Sequence, residues 1–435
     1  MLRKNIHMSL RKIKTRIELI YMLCEAAEIE HQLLLVYLTA AFSLKTDLSE
    51  GGITEEQLKK VKSWRRKIIG VAIEEMCHLS IVSNLLTSIG GAPHFARPNL
   101  PQDTPKYYPP GFSLDLQPFT RESLQRFVSY ENPNNPELKA AEFKNEEERI
   151  RAEIFSRVDD DCQLMEEDIP FNTIHDLYSC ISEGFQFLEE QHPGKLFLCD
   201  SSAQLTNSKE VRLFDELFPI VDLATVNESI RIILEQGEGN TSNVKGHFRI
   251  FSDILEEYET EIKISQEKNI EFIPARNCIE NPFIHQPADA SEVNIIEDEF
   301  TAEISLLFNS CYDTMMKMII RAFNHHEETT EEVSLLCDTF ISFMHDVITP
   351  LGTLLTTLPM GGSYGDKTAG PSFEYPRDMH LLPHKKSAWQ IFSEQLELIS
   401  KFAAEFSNDE RAAARAKSVL ADVAIKLAGF AEKLK

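Results

Sequence analysis

The sequence predicts an all-α protein, with an N-terminal bundle of long helices broken by a Pro-rich insertion and a second helical unit towards the C-terminal end. Three observations carry that prediction. Apolar residues recur at three- and four-residue spacing over long stretches, the period of a helix that turns one face to a core. Glycines, prolines and capping residues mark the ends of those stretches. No series of short runs alternates apolar and polar residues as strands require, and no glycine-rich loop lies between a strand and a helix, as nucleotide-binding folds require.

The bulk numbers narrow the function classes. A chain of 435 residues is expected to hold two or three units. Sixty-nine acidic against 44 basic residues give a net charge of −25, which opposes nucleic acid or an anionic membrane as the main partner. No apolar run reaches the ~18 residues of a membrane span, and the basic start "MLRKNIHMSLRKIKTRIELIYML" has no long apolar segment with a small-residue cleavage site. Eight cysteines are scattered without CxxC spacing; this fits reduced thiols and a cytoplasmic location.

The elements follow in order. From Arg16 to about Leu44 the apolar spacing is helical, and "LSEGGITEEQ" then interrupts. Thr54 offers an N-cap with Gln57 at the capping-box position, so a second helix is expected from about Glu55 to Ile89, ended by Gly90-Gly91. The two read as an antiparallel hairpin. Between Pro93 and Pro136 the prolines of "PHFARPNLPQDTPKYYPPGFSLDLQPF" predict an extended excursion rather than packed helix. The charged "ELKAAEFKNEEERIRAE" reads as a solvated helix or connector. Helical pattern returns at 173–191, from about Asp222 to Gly237, and again in "KGHFRIFSDILEEYET". The bundle thus spans 1–260 with an insertion at 93–170, 261–297 is an irregular linker, and 298–435 is the C-terminal unit. That unit has helices at about 298–323, 331–347 and 386–405, then an Ala-rich one, with "TPLGTLLTTLPMGGSYGDKTAGPSFEYP" as a Gly- and Pro-rich interruption.

The chemistry is concentrated in "GVAIEEMCHLSIVSNLL", residues 70–86. Glu75 and His78 are three apart and share a helix face with Val71, Ala72, Leu79 and Val82. A carboxylate and an imidazole on an apolar stripe need a partner, and this is the spacing by which a bundle helix holds a metal ion. Glu74 points about 100° away and reads as polar surface or as support for the site. In the first helix Glu30 lies on a stripe with Ala26, Ala27, Leu34 and Tyr37, whereas Glu28 lies off it and His31 points elsewhere. Glu235 and Glu238 repeat the i, i+3 spacing, His247 follows nine residues later, and the helix at 173–191 offers Glu183 and Tyr178. Glu30, Glu75, His78, Glu235, Glu238, His247 and Glu183 are therefore the candidate metal ligands, and Tyr37 and Tyr178 the candidate catalytic phenols. Carboxylates with imidazole suit iron, as one ion or two, or manganese; without thiolate pairs, zinc and iron–sulfur clusters are disfavoured. His345, on an amphipathic stretch, reads as a satisfied core histidine.

"EIEHQLLLVYL", "AIEEMCHLSIVSNLLTSIGGAPHFARPNLP" and "IILEQGEG…GHFRIF" resemble the ferritin-like family that includes the iminophenylpyruvate dimer synthases of bisindole (violacein and rebeccamycin) biosynthesis. The resemblance continues through "LFNSCYDTMM", "PLGTLLTTLP" and "AGPSFE", over roughly residues 16–405. It implies a four-helix bundle with a non-haem iron site in an enzyme that acts oxidatively on small metabolites. Glu30, Glu75 and His78 match the ligand positions of the first two helices. A second ExxH is replaced here by Glu235-x-x-Glu238 and the later His247, which leaves open a mononuclear centre of Glu75, His78 and His247.

The leading expectation is a non-haem iron oxidase or oxygenase that takes O2 and a small, amino-acid-derived or aromatic metabolite in a biosynthetic pathway. A ferritin-like protein that binds iron or a ligand without turnover is the alternative. Homo-oligomerisation is left open.

Overall fold

The computed structural model describes residues 12–101, 114–132, 173–238, 246–285, 293–375 and 384–435. The charged stretch 137–153, Tyr107, Tyr108 and Phe112 of the Pro-rich excursion, and Gly239 lie outside these residues.

Helix α1 (Arg16–Ser43) is capped by Thr15, whose hydroxyl accepts from the Glu18 amide while Glu18 caps in return. It is apolar nearly all round because it is enclosed, by α2 (Glu55–Ser88), by α4 (Ile174–Gln191) and by the C-terminal helices. The predicted Thr54–Gln57 capping box starts α2. By length and composition α2 could cross a membrane, contrary to the sequence expectation, yet 72% of its most apolar window is buried in this fold. Helices α5 (Leu223–Glu238) and α6 (His247–Lys268) complete the bundle around α1 and α2. Trp64 of α2 donates its indole N–H to Glu257 of α6 at 2.6 Å and stacks on Phe119.

Four expectations are corrected. The Pro-rich region contains a packed helix, α3 (Arg121–Tyr130), which starts at a Thr120–Ser123 capping box and buries Leu124, Phe127 and Tyr130. A proline-poor decapeptide is long enough for a helix when a neighbour covers its apolar face, and α6 does so. The predicted linker begins late, because α6 continues to Lys268 and ends on Asn269 in the left-handed conformation. The Gly/Pro interruption is helical at its start. After α7 (Glu299–Phe323) and α8 (Thr330–Phe343), a π turn at Met344–Ile348 runs on into α9 (Thr349–Leu355). Pro350 sits in the first turn of α9, where a missing N–H matters least. His345, in the π turn, is exposed rather than core. Helices α10 (Lys385–Ser407) and α11 (Ala414–Lys433) pack together and close the C-terminal unit. The described strands are one parallel pair of two-residue segments, Pro282–Phe283 and Asn294–Ile295.

One apolar core runs through both regions, from Ile13 to Leu434. Arg276 fastens the segment between them: its guanidinium pairs with Glu50 at 2.7 Å and donates to the Phe42 and Leu44 carbonyls at the end of α1.

Candidate metal centre

Helices α1, α2 and α6, with the end of α3, bring three carboxylates and two imidazoles into the middle of the bundle. Glu30, Glu75 and His78 are each 2% exposed, His247 is fully buried and Glu131 is 7% exposed. The ligand atoms fall into two groups, Glu30–Glu75–His78 and Glu75–Glu131–His247, each with atoms within 4.8 Å of one another and with Glu75 common to both. His78 Nδ1 lies 3.0 Å from Glu75 Oε2 and 3.3 Å from Glu30 Oε2. His247 Nδ1 lies 3.1 Å from Glu75 Oε1 and 3.6 Å from Glu131 Oε2. The two imidazole centres are 5.6 Å apart.

A surrounding layer aims these groups. Tyr178 donates its hydroxyl to Glu30 Oε1 and Tyr37 donates to Glu131 Oε1, both at 2.5 Å. Each phenol therefore occupies one oxygen of a terminal carboxylate and leaves the other facing inward. His78 Nε2 lies 2.8 Å from the Gln236 side-chain oxygen, and His247 Nε2 lies 2.8 Å from Glu74 Oε2. These acceptors take the Nε2 protons of both rings and leave Nδ1 facing Glu75, as the atom that could bind a cation once its own proton has left.

The electrostatics describe a site short of positive charge. Burial, then repulsion from Glu75, raises Glu30 to about 7. For His78, burial opposes the charged form, but the hydrogen bonds and charges of Glu30 and Glu75 outweigh it and raise it to about 10. His247 is likewise held well above its ordinary value, against its burial, by Glu75 and Glu131. Despite their 3.1 Å approach, Glu75 Oε1 and His247 Nδ1 have no hydrogen-bond partner, although both are buried. Two orphaned atoms of ligand type facing one another at the junction of the two triads fit a bound cation. Carboxylate and imidazole donors without sulfur fit iron or manganese among the metals.

The structure gathers Glu30, Glu75, His78 and His247 from the predicted set, with Tyr37 and Tyr178 against them. It does not gather Glu235 or Glu183. Glu235 pairs with Arg231 at 2.5 Å and shares an open outer groove of α4 and α5 with Glu183, which is exposed. The i, i+3 spacing at Glu235 and Glu238 exists, but the Arg231 face of α5 turns outward; the Glu238 side chain lies outside what is described. Glu28, as expected, is remote from the cluster and pairs with His94. His31 faces the C-terminal unit, bonded to the Phe95 carbonyl and to Tyr312. Glu131 was missed because it falls in the Pro-rich region. Its one sequence signal is that it follows Phe127 and Tyr130, four and one residues on, at the end of the apolar face of α3.

Removing an outer acceptor is expected to free the ring it holds. Gln236→Ala and Glu74→Ala should each weaken metal binding by about 10–100-fold, read by equilibrium competition with a chelator. Unchanged affinity in both variants would show that Gln236 and Glu74 do not fix the rings.

A helical bundle with a buried, carboxylate-rich centre of this kind defines a class of protein. A family model described as ferritin-like matches residues 23–256, and the chain belongs to that family. Among curated proteins it is similar to dichlorochromopyrrolate synthase of Lentzea aerocolonigenes, 27% identical over 416 residues, covering 88% of this chain and 38% of that one. It is also similar to the 2-imino-3-(indol-3-yl)propanoate dimerase of Chromobacterium violaceum, 24% identical over 395 residues, covering 84% of this chain and 35% of that one. The chain thus spans little more than a third of the length of these relatives. A solved ferritin-like protein from Caulobacter vibrioides aligns with a TM-score of 0.46 and 15% identity over 78% of this chain and 96% of that one.

Proposed function

We propose that the chain is a non-haem iron oxidase or oxygenase acting with O2 on a small, amino-acid-derived or aromatic metabolite in a biosynthetic pathway. The observation that carries this reading is the pair of buried triads joined at Glu75, with two ligand-type atoms left unsatisfied between them. The names of the two curated relatives support the biosynthetic part of this reading, since one is a synthase and the other a dimerase of an imino acid. Glu30, Glu75 and His78 would hold one ion, and Glu75, Glu131 and His247 a second. When bound, iron supplies electrons and open coordination positions for reaction with dioxygen.

The protein's own groups do the rest. Three carboxylates offset the charge of the ions, and the tyrosines on Glu30 and Glu131 hold them in one orientation. Burial pushes both phenols well above their ordinary range, so at neutral pH they keep their protons and act as donors. The apolar residues of α1 and α2 exclude water from the centre.

Metal analysis and oxygen uptake test the reading. Protein purified from its host should carry iron and, with candidate amino-acid-derived imines or 2-oxo acids, consume O2 in proportion to product. Full helicity with well under one metal per chain sinks the metal assignment. Iron uptake without substrate-dependent O2 consumption means a binding protein.

The protonation of the centre sets a further expectation. In the metal-free protein Glu30 titrates at about 7 and His78 at about 10. These protons must leave when an ion binds, so affinity rises with pH. Loading should be roughly tenfold or more tighter at pH 8 than at pH 6, with proton release on binding. A pH-independent affinity means that these groups are not ligands.

A further inference from the structure

The candidate metal centre is buried, so an ion has to reach it through the protein, and the five groups around it differ in their distance from solvent. Glu131 is the most exposed of them, at 7% against 2% or less for Glu30, Glu75, His78 and His247. It also lines a cavity at the end of α3, with a volume of about 20 Å3, room for about one water molecule. Glu131, Thr173 and Ile233 form the buried part of the lining, and Asn132, His175 and Gly237 the half-buried rim. Tyr37 occupies Oε1 of Glu131. The other oxygen, Oε2, lies 3.6 Å from His247 Nδ1 and is the one on the Gly237 side.

Gly237 belongs to the last turn of α5, directly after Gln236, whose side chain holds His78. A glycine inside a helix costs stability relative to alanine, and here the backbone does not call for one, because its φ lies outside the left-handed region. Nor does close packing call for it. A Cβ added there would meet Glu131 Oε2 at 3.8 Å, an ordinary contact, and no other atom of the described residues within 4 Å. What the missing side chain leaves open is the approach to Glu131. Leu234, one turn earlier on α5, lines both this cavity and the open outer groove that holds Glu183 and Glu235. Arg231, the cation of that groove, is paired with Glu228 and Glu235, so the groove keeps a negative field that draws cations.

We propose that this cavity is the port by which a divalent cation reaches the centre, with the acidic groove outside it, Leu234 as the constriction and Glu131 Oε2 as the first ligand met. The inference rests on the metal assignment above. An organic metabolite needs a pocket of roughly 300 Å3 or more, so it has to approach by another face and the port serves small cargo alone.

Stopped-flow mixing of the full-length, metal-free protein with cobalt(II) reads the rate of entry from the visible absorbance of the bound ion. Gly237→Ala, whose methyl fits at ordinary contact distance, should load at close to the wild-type rate. Gly237→Leu fills the space beside Glu131 and should load several-fold more slowly, yet reach the same final stoichiometry. Leu234→Ala opens the way from the groove and should load several-fold faster. A merely structural disturbance would not move these two variants in opposite directions. An unchanged rate in Gly237→Leu overturns the proposal, and so does a lower final stoichiometry, which would make Gly237 part of the binding site's wall. If Gly237→Leu does not fold, as judged by circular dichroism, Leu234→Ala decides, and a rate no faster than wild type overturns the port. A wild-type protein that takes up no cobalt sinks the metal assignment and the port together, whereas full loading at one rate in every variant sinks only the port.

Discussion

Glu75→Ala is expected to empty the whole centre. Glu75 is the one carboxylate common to both triads, and its two oxygens face different imidazoles, His78 at 3.0 Å and His247 at 3.1 Å. Its loss would remove a ligand from each of the two proposed ions, together with the negative charge that faces both rings. Metal content measured by elemental analysis should fall to background. Glu131→Ala, which touches one triad, should lose about one ion of two, and His78→Ala should lose the other. Glu28→Ala serves as the control, because Glu28 lies on a different face and pairs with His94. Glu28→Ala losing as much metal as Glu75→Ala would show that the inward face is wrongly assigned. A metal stoichiometry unchanged by Glu131→Ala would reduce the centre to the Glu30, Glu75 and His78 group.

Arg321→Met is expected to be the most destabilising substitution remote from that centre. Arg321 and Glu328 form a bidentate pair, at 2.6 and 2.8 Å, in which the arginine side chain is 2% exposed and the glutamate side chain fully buried. Glu328 also accepts from the His326 amide and from the Trp389 indole, so it joins α7, the turn after it and α10. Methionine keeps the volume but strands the carboxylate, a change that costs on the order of 3–5 kcal/mol. Chemical denaturation should show a lower midpoint with an unchanged slope. Burial alone would raise the pKa of Glu328, but Arg321 and the other donors hold it down at about 2, below its ordinary 4.5. Because the folded value is the lower one, the pair's contribution is complete above about pH 4.5 and is lost as pH falls towards 2. The difference between wild type and Arg321→Met should therefore shrink in acid. A difference that stays constant down to pH 3 would mean that the variant acts by packing alone.

Much of the fold was legible because it is local. The apolar period of α1 and α2, the Thr54–Gln57 capping box and the Gly90-Gly91 stop are all written within a few residues of where they act. The same locality exposed Glu75 and His78, since i, i+3 geometry needs only a helix, and it separated Glu30 from Glu28 by the apolar stripe on which Glu30 lies. The ferritin-like family was legible from the same stretches.

What the sequence could not decide is which distant segments meet. Glu131 sits 56 residues beyond Glu75 in a region whose prolines argue against helix, and only packing of α3 on α6 carries it to the centre. Glu235 shows ligand spacing but turns outward, because its own helix supplies Arg231 as a partner at i−4. Glu74 was readable as polar, but its task, to accept the Nε2 proton of a histidine 173 residues away, required α6 to be in place. The sequence by itself determined which helices form and which of their faces are apolar. Only the tertiary structure decided which polar side chains those faces enclose together, because burial and charge pairing depend on neighbours from other helices, and no local spacing records them.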